Sequence, residues 1–135
     1  VIPLNKIFIN NYTYSVLSIN RNSIYQGIIA TLPHNNIFLK LIDFIVNTVE
    51  KNKKYKYIIF TIDFFKKIEE DCLKKPKNGL NINLKNGEFN YYLFKEFCNR
   101  NENSCYDGLD KHNLCCYVYN KNKKIFKTRY SDFPW

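Results

Sequence analysis

The chain has 135 residues, of which 45% are hydrophobic and 17% aromatic, and its formal net charge is +9 at pH 7. This length fits one domain, and the apolar content is too high for a disordered tail. No apolar run reaches the roughly 20 residues that a membrane-spanning helix needs. Two interpretations of the charge stay open: an anionic partner, or a general enrichment of the composition in Lys and Asn.

The sequence contains no methionine and begins at Val1. We therefore expect a processed form or a part of a longer protein. No signal peptide is visible at the start. A membrane anchor, if the protein has one, is expected outside these residues.

The first elements are short strands and one strong helix. Residues 7–9 and 12–17 are apolar and aromatic and predict two short strands. Residues 24–31 predict a buried strand that ends before Pro33, which cannot donate a ladder hydrogen bond. Asn35 or Asn36 then supplies a helix cap. The helix that follows has apolar residues at a 3.6 period, which we expect to face the core: Ile37, Phe38, Leu41, Phe44, Ile45 and Val49.

A second helix is predicted from Thr61 onward. Its expected buried stripe is Ile62, Phe65, Ile68 or Glu69, and Cys72 or Leu73. Asp63 lies near its start, where a negative charge interacts favourably with the helix dipole. Residues 55–60 fit either a strand or the approach to this helix.

The last third predicts strands. Residues 80–84 alternate apolar side chains with Asn, and Asn86-Gly87 is a strong hairpin signal. The aromatic run 88–98 fits a helix or a strand, and we favour the strand. Residues 99–113 form a long polar loop, a kind of segment that is often functional. Residues 114–119 and 124–130 predict two strands joined by residues 120–123.

Four of the five cysteines lie in this last third. Cys98, Cys105 and His112, with Cys115 or Cys116, could supply four zinc ligands, but no C-x2-C pair is present. A disulfide is the second interpretation, most plausibly from Cys105 to Cys98 or to one of the adjacent pair, and it implies an oxidising compartment. Free buried thiols are the third.

The polar loop carries Asp107, Asp110 and His112. Carboxylates with a histidine can bind a divalent cation or move a proton. Asp residues beside a Gly are also ordinary turn chemistry. Both interpretations stay open.

Residues 13–65 resemble the segment after the D-x-D of nucleotide-sugar glycosyltransferases of the α-1,6-mannosyltransferase-like, capsular-polysaccharide type, which include giant-virus members. Gln26 stands where that family has Asn, Ala30 matches its Ala, and LPHNNIFLKLI replaces its His-Pro-Phe turn and helix. Thr61 matches the Thr of a Thr-Gly-Pro, and Ile62-Asp63 replaces the Gly-Pro.

The resemblance implies an α/β fold: a mixed sheet with two main helices and a C-terminal β-hairpin, forming the C-terminal half of a GT-A-like fold. The chain would be a single domain on the acceptor side. The D-x-D lies outside it, so a divalent cation, Mn²⁺ or Mg²⁺, is expected in the full-length enzyme and not on this chain alone. The partners would be a nucleotide-sugar donor and a glycan, lipid or protein acceptor, in a Golgi-type lumen or the cytoplasm of a virus-infected cell.

The site residues combine this resemblance with the loop chemistry. The predicted catalytic residues are Gln26, Asp110 and His112. The predicted substrate-binding residues are Gly27, His34, Asp63, Arg129 and Trp135. No metal ligand is predicted. The rival hypothesis is a non-catalytic binding or scaffold domain with a basic, aromatic surface. Nucleic acid is not an expected partner, because no recognised motif accompanies the charge.

Overall fold

The computed structural model describes residues 3–8, 10–18, 22–52, 57–85, 89–98 and 114–130. A short 3₁₀ helix, Leu4–Lys6, precedes the first strand. The remaining elements in chain order are β1 Tyr12–Leu17, β2 Ile24–Ala30, α1 Asn36–Asn52, α2 Tyr57–Cys72, β3 Gly79–Asn81, β4 Asn90–Cys98, β5 Leu114–Asn120 and β6 Lys123–Tyr130. Neither α-helix is long and apolar enough to cross a membrane, as judged over the part of the chain that is described.

The strands form one mixed sheet with the order β2-β1-β4-β5-β6, and β3 also pairs with β4. β1 runs parallel to β4, with Tyr12 opposite Asn90, and the other pairings are antiparallel. The strands β5 and β6 form the expected C-terminal hairpin. The α/β class with a mixed sheet and two helices is therefore confirmed.

The start of the chain differs from the prediction. The first of the two expected strands is absent from the described residues, because Leu4–Lys6 is a 3₁₀ helix and Ile7 follows it in a turn. Ile7 is buried against the sheet. This apolar segment therefore forms a turn that packs on the sheet instead of a strand.

The turn between β2 and α1 is fixed by Asn35. Its Oδ1 accepts a hydrogen bond from the Ile37 backbone N–H at 3.1 Å, which is the expected helix cap. Its Nδ2 donates to the hydroxyls of Thr13 and Thr31. Because Asn35 and Thr13 are both buried, this network anchors the start of α1 to β1.

Both helices pack on one face of the sheet. The buried core between the helices and the sheet contains Ile24, Ile37, Leu41, Phe64, Phe65, Ile68, Cys72, Tyr91 and Leu93. This confirms Leu41 as a core residue packed with the β2 strand. Two residues predicted for the buried stripes are exposed instead, Val49 at 43% and Ile62 at 37%. Phe44 and Ile45, also predicted to face the core, are only half-buried. In α2 the neighbouring Phe64 is buried instead, because the stripe that packs on the core runs through Phe64, Phe65, Ile68 and Cys72.

The C-terminal end of α2 is tied to β4 and α1 through Asp71. Its buried carboxylate accepts a hydrogen bond from the Tyr91 hydroxyl at 2.6 Å. The Lys40 ammonium lies 3.7 Å from the other carboxylate oxygen. Burial, followed by the bond to Asp71, raises the pKa of Tyr91 far above its usual value. Tyr91 therefore stays a neutral donor.

The segment after α2 alternates as predicted but with the opposite face inward. Asn81 and Asn83 are buried, while Leu80, Ile82 and Leu84 are exposed. Asn81 accepts from the Lys77 N–H at 2.9 Å and donates to the carbonyls of Lys77 and Gly79. Its amide replaces backbone partners that a three-residue strand cannot supply. The Asn86-Gly87 pair lies outside the described residues.

The cysteines divide into two described states. Cys72 is a buried free thiol, and burial raises its pKa to about 11. Cys116 is buried and takes part in a disulfide. A disulfide is therefore present at Cys116, as the second interpretation expects, and Cys116 is not available as a zinc ligand. The predicted pairings of Cys105 stay predictions. The side chains of Cys98, Cys105 and Cys115 lie outside the described part of the chain.

Candidate functional site

The predicted site residues are unevenly placed. Gly27 lies in β2, His34 is exposed in the turn before α1, and Asp63 is buried in α2. Asp110, His112 and Trp135 lie outside the described residues. Gln26 and Arg129 lie in strands, but their side chains are not described. Among the described residues no three His, Cys, Asp or Glu side chains converge as a metal site.

The space beside Gly27 is filled by a side chain of the same strand. A Cβ built at Gly27 would collide with the ring of Tyr25. The strand bulges here, since Tyr14 pairs with Ala30 and Val16 with Tyr25. The Ser15 hydroxyl donates to the carbonyl oxygens of Tyr25 and Ile28 across the bulge. The glycine is therefore explained by the close approach of Tyr25.

Asp63 carries a buried carboxylate oxygen without a hydrogen-bond partner among the described residues. The residue is 8% exposed, and the oxygen is Oδ2. The Lys66 ammonium is 3.8 Å from Oδ1 and largely exposed. Burial raises the pKa of Asp63, and the positive charges of Lys66 and Lys67 oppose that rise. Such a carboxylate is a candidate for a functional role.

The raised pKa of Asp63 predicts a pH-dependent effect of Asp63→Asn. The folded carboxyl holds its proton more tightly than the unfolded chain, so stability is lost as pH rises from the unfolded pKa of about 3.9 through the folded value. We expect Asp63→Asn to raise the melting temperature at about pH 7. The gain should vanish at about pH 3, where the Asp63 carboxyl is protonated in both the folded and the unfolded protein.

Thermal melts at both pH values test this. Asp43→Asn, at an exposed position of α1, is the control and is expected to change little at either pH. A melting temperature lowered by Asp63→Asn at neutral pH would contradict the prediction, because it would mean that the ionised carboxylate is stabilising.

The face of the sheet opposite the helices is rich in aromatic residues. A second buried cluster lies there and consists of Ile7, Tyr14, Val16, Phe94 and Val118. Tyr12, Tyr25, Tyr92 and Phe126 pack against it and remain partly exposed. No residue of α1 or α2 belongs to this cluster as described. We call this side of the sheet the open face.

The aromatic side chains of the open face contact one another across β1 and β4. The Tyr14 and Phe94 rings are stacked with centroids 5.9 Å apart, and the Tyr12 and Tyr92 rings are parallel at 6.4 Å. Phe8 packs edge-on against Tyr14 at 4.9 Å. These contacts hold the rings in fixed positions.

A cavity of about 700 Å³ opens on this face, between the N-terminal turn and the β5–β6 hairpin. Its volume falls within the range of small-molecule sites, roughly 300–1,000 Å³. The lining residues are three lysines, three asparagines, two tyrosines and two isoleucines: Lys6, Lys121, Lys123, Asn10, Asn120, Asn122, Tyr14, Tyr92, Ile7 and Ile125. None of the predicted site residues that the structure describes lines it.

Hydrogen bonds join the two tyrosines to the walls of the cavity. The Tyr14 hydroxyl donates to the Asn10 carbonyl at 3.2 Å and accepts from the Asn10 N–H at 3.1 Å. The Tyr92 hydroxyl donates to Asn120 Oδ1 at 2.8 Å. The phenol groups therefore position the N-terminal turn and the hairpin, which makes the cavity largely preformed.

The electrostatic character of the cavity is positive. Lys6 of the N-terminal turn and Lys121 and Lys123 of the β5–β6 turn line it, and no described carboxylate does. The ion pairs of the described residues involve Lys40, Lys66 and Lys67, not the three cavity lysines. Such a site concentrates anions.

No protein-family model, curated protein or solved structure matches this chain. The cavity therefore has to be interpreted from its own chemistry. Its residues come from three distant segments, and our sequence analysis did not select them. One available signal was the basic and aromatic composition of the chain, since the register that brings Tyr14 opposite Tyr92 is not visible in the sequence. Another was the repeated Asn-Lys of residues 120–123.

Proposed function

We propose that this chain is the acceptor-side part of a nucleotide-sugar glycosyltransferase, and that the cavity on the open face is its ligand site. The observation that carries the proposal is the lining of the cavity: tyrosine, isoleucine, asparagine and lysine side chains around about 700 Å³. Asparagine amides both donate and accept hydrogen bonds, as sugar hydroxyls require. Lysine ammonium groups favour the anionic groups of activated sugars and modified glycans.

The residues of this chain would bind and orient the ligand. Tyr14 and Tyr92 are held by Asn10 and Asn120, so little ordering is needed when the ligand enters. The isoleucines offer an apolar wall for the C–H face of a sugar ring. No carboxylate or histidine lines the cavity among the described residues. A carboxylate or histidine base would have to come from elsewhere, and Gln26, Asp110 and His112 stay the predicted catalytic residues.

The resemblance places a divalent cation on a D-x-D outside this chain. In the described part of the chain no set of side chains fits such an ion. The proposed role of these residues is therefore to hold the acceptor or its anionic groups.

The experiment is a transfer assay with the complete protein, using UDP-glucose and GDP-mannose as donors, with and without a chelator. Asn122→Trp places a large ring in the exposed hairpin turn at the cavity. We expect this variant to lose at least about tenfold in kcat/KM, equivalent to about 1.4 kcal/mol. Asn78→Trp, in an exposed turn that does not line the cavity, is the matched control and should keep full activity.

Two results would overturn the proposal. One is the absence of transfer from any nucleotide sugar by the complete protein. The other is equal activity of Asn122→Trp and the unmodified protein, which would remove the cavity from the reaction. Activity that persists in the presence of a chelator would show that the reaction needs no divalent cation.

One observation favours the second candidate, a non-catalytic binding domain. The cavity is basic and aromatic, as that hypothesis requires, and its described lining has no carboxylate or histidine. The same variants separate the two functions. Sugar binding that Asn122→Trp abolishes, in a protein that transfers nothing, would establish the binding domain.

A further inference from the structure

We propose that the cavity on the open face binds a phosphate monoester carried on a sugar or polyol ring, with Lys6, Lys121 and Lys123 holding the phosphate. This proposal shares one premise with the proposed function, namely that the cavity is the ligand site. It goes further by assigning the ligand a phosphate group.

The first argument is the arrangement of charge. Lys121 and Lys123 line the cavity from the β5–β6 turn, and Lys6 lines it from the N-terminal turn. All three are exposed, and the described ion pairs do not include them. Three lysines around a cavity without described acidic lining residues favour an anionic ligand. A neutral sugar would leave this charge uncompensated.

The second argument is the backbone at Lys121. Its φ is +54°, in the left-handed region that glycine and asparagine adopt more easily than lysine. Asparagines flank it on both sides, at 120 and 122. A turn selected for stability alone would favour Gly or Asn at this position. A lysine held in an unfavourable conformation at a cavity wall points to a use for its ammonium group.

The third argument concerns the ring that carries the phosphate. Tyr14 is 3% exposed, and its ring packs against Phe8 and Phe94. Tyr92 lies parallel to Tyr12 on one side and contacts Phe94 edge-on. The buried Tyr14 ring therefore lacks an exposed face on which a nucleobase could stack. The amides of Asn10, Asn120 and Asn122 suit the hydroxyls of a sugar or polyol.

Binding is tested on this chain by NMR titration at low ionic strength, where screening is weak. The probes are glucose 6-phosphate, glucose, a single-stranded oligonucleotide, and phosphatidylcholine vesicles with and without phosphatidylinositol 4-phosphate. We expect glucose 6-phosphate to bind at least about tenfold more tightly than glucose. Shifts should concentrate on residues 6–14 and 120–125. If vesicles carrying the phosphorylated lipid bind more tightly than the sugar phosphate, the source of the phosphate is a lipid headgroup.

Variants of Lys121 separate binding from folding. Lys121→Gln keeps a side chain in the left-handed position and removes the charge, and it should weaken glucose 6-phosphate binding about tenfold. Lys121→Gly should weaken binding equally while raising the melting temperature, since glycine relieves the backbone. Lys95→Gln removes an exposed lysine from the strand β4 outside the cavity lining and should change neither.

The inference is overturned if glucose binds as well as its phosphate, if the oligonucleotide binds more tightly than glucose 6-phosphate, or if Lys121→Gln binds normally. These results are independent of transfer activity. A protein that binds the phosphate but transfers nothing would contradict only the proposed function. A protein that transfers sugar but shows no preference for the phosphate would contradict only this inference.

Discussion

Leu41→Ala is expected to lower the free energy of unfolding by roughly 2–5 kcal/mol, the range for large-to-small changes in a core. Leu41 is 1% exposed and packs between α2 and the sheet with Ile24 and Phe64. The truncation removes buried methyl groups and leaves a cavity that this two-helix layer cannot fill without moving a helix. Urea unfolding monitored by circular dichroism measures the loss.

The next residue of the same helix is the control. Ile42 is 54% exposed, so Ile42→Ala should change the free energy of unfolding by about 0.5 kcal/mol or less. Both variants shorten an aliphatic side chain on α1, so helix propensity changes similarly. A loss below about 1 kcal/mol for Leu41→Ala, or equal losses for the two variants, would show that the other face of α1 packs on the sheet.

Tyr91→Phe should have the second large effect, because it removes the only side-chain donor described for Asp71 Oδ2. Asp71 and Tyr91 are buried at 4% and 1% exposure, and the bond between them is 2.6 Å long. Hydrogen bonds to charged groups contribute roughly 1.5–3 kcal/mol, and the carboxylate left behind is still buried. We expect a loss in this range, measured by urea unfolding.

Tyr92→Phe is the matched control on the adjacent residue of β4. Its hydroxyl bonds to the neutral Asn120 amide oxygen at a partly exposed position, so the expected loss is about 0.5–1.5 kcal/mol. The double variant Tyr91→Phe, Asp71→Asn should lose less than the sum of the single losses, since the two residues share one bond. Strict additivity would contradict a direct interaction.

The elements of the chain followed from local pattern, but the orientation of several did not. α1 has two apolar stripes with similar periods: one contains Ile37 and Leu41, and the other contains Leu39, Ile42, Val46 and Val49. Either stripe identifies a helix. The prediction placed Ile37 and Leu41 of the first stripe in the core correctly, but it also placed Val49 there, which belongs to the second, exposed stripe.

The strand β3 shows the same difficulty in a sheet. Alternation of Leu80, Asn81 and Ile82 predicts apolar side chains inside, yet Asn81 is buried because its amide bonds the Lys77 and Gly79 backbone. A strand this short has few ladder bonds, so the need to satisfy backbone groups outweighs apolar burial. Period alone carries no information about that balance.

The cavity could not be predicted from local pattern, because its walls meet only in the folded chain. The N-terminal turn, the β1–β4 pair and the β5–β6 turn each contribute two or more lining residues. The sequence did show a basic and aromatic composition, which is the basis of the rival binding hypothesis. The register that brings Tyr14 opposite Tyr92 depends on the parallel pairing of β1 with β4.

That parallel pairing also constrains the order of assembly during synthesis. β1 is made early, but its central partner β4 follows only after β2, both helices and β3 have been made. Until then β1 has β2 as its neighbour and an unpaired edge where β4 will lie. Closing so long a segment of chain is entropically costly, so pairing of these two strands should govern the folding rate. The nascent protein consequently exposes an aromatic strand edge, the kind of surface that chaperones protect from association.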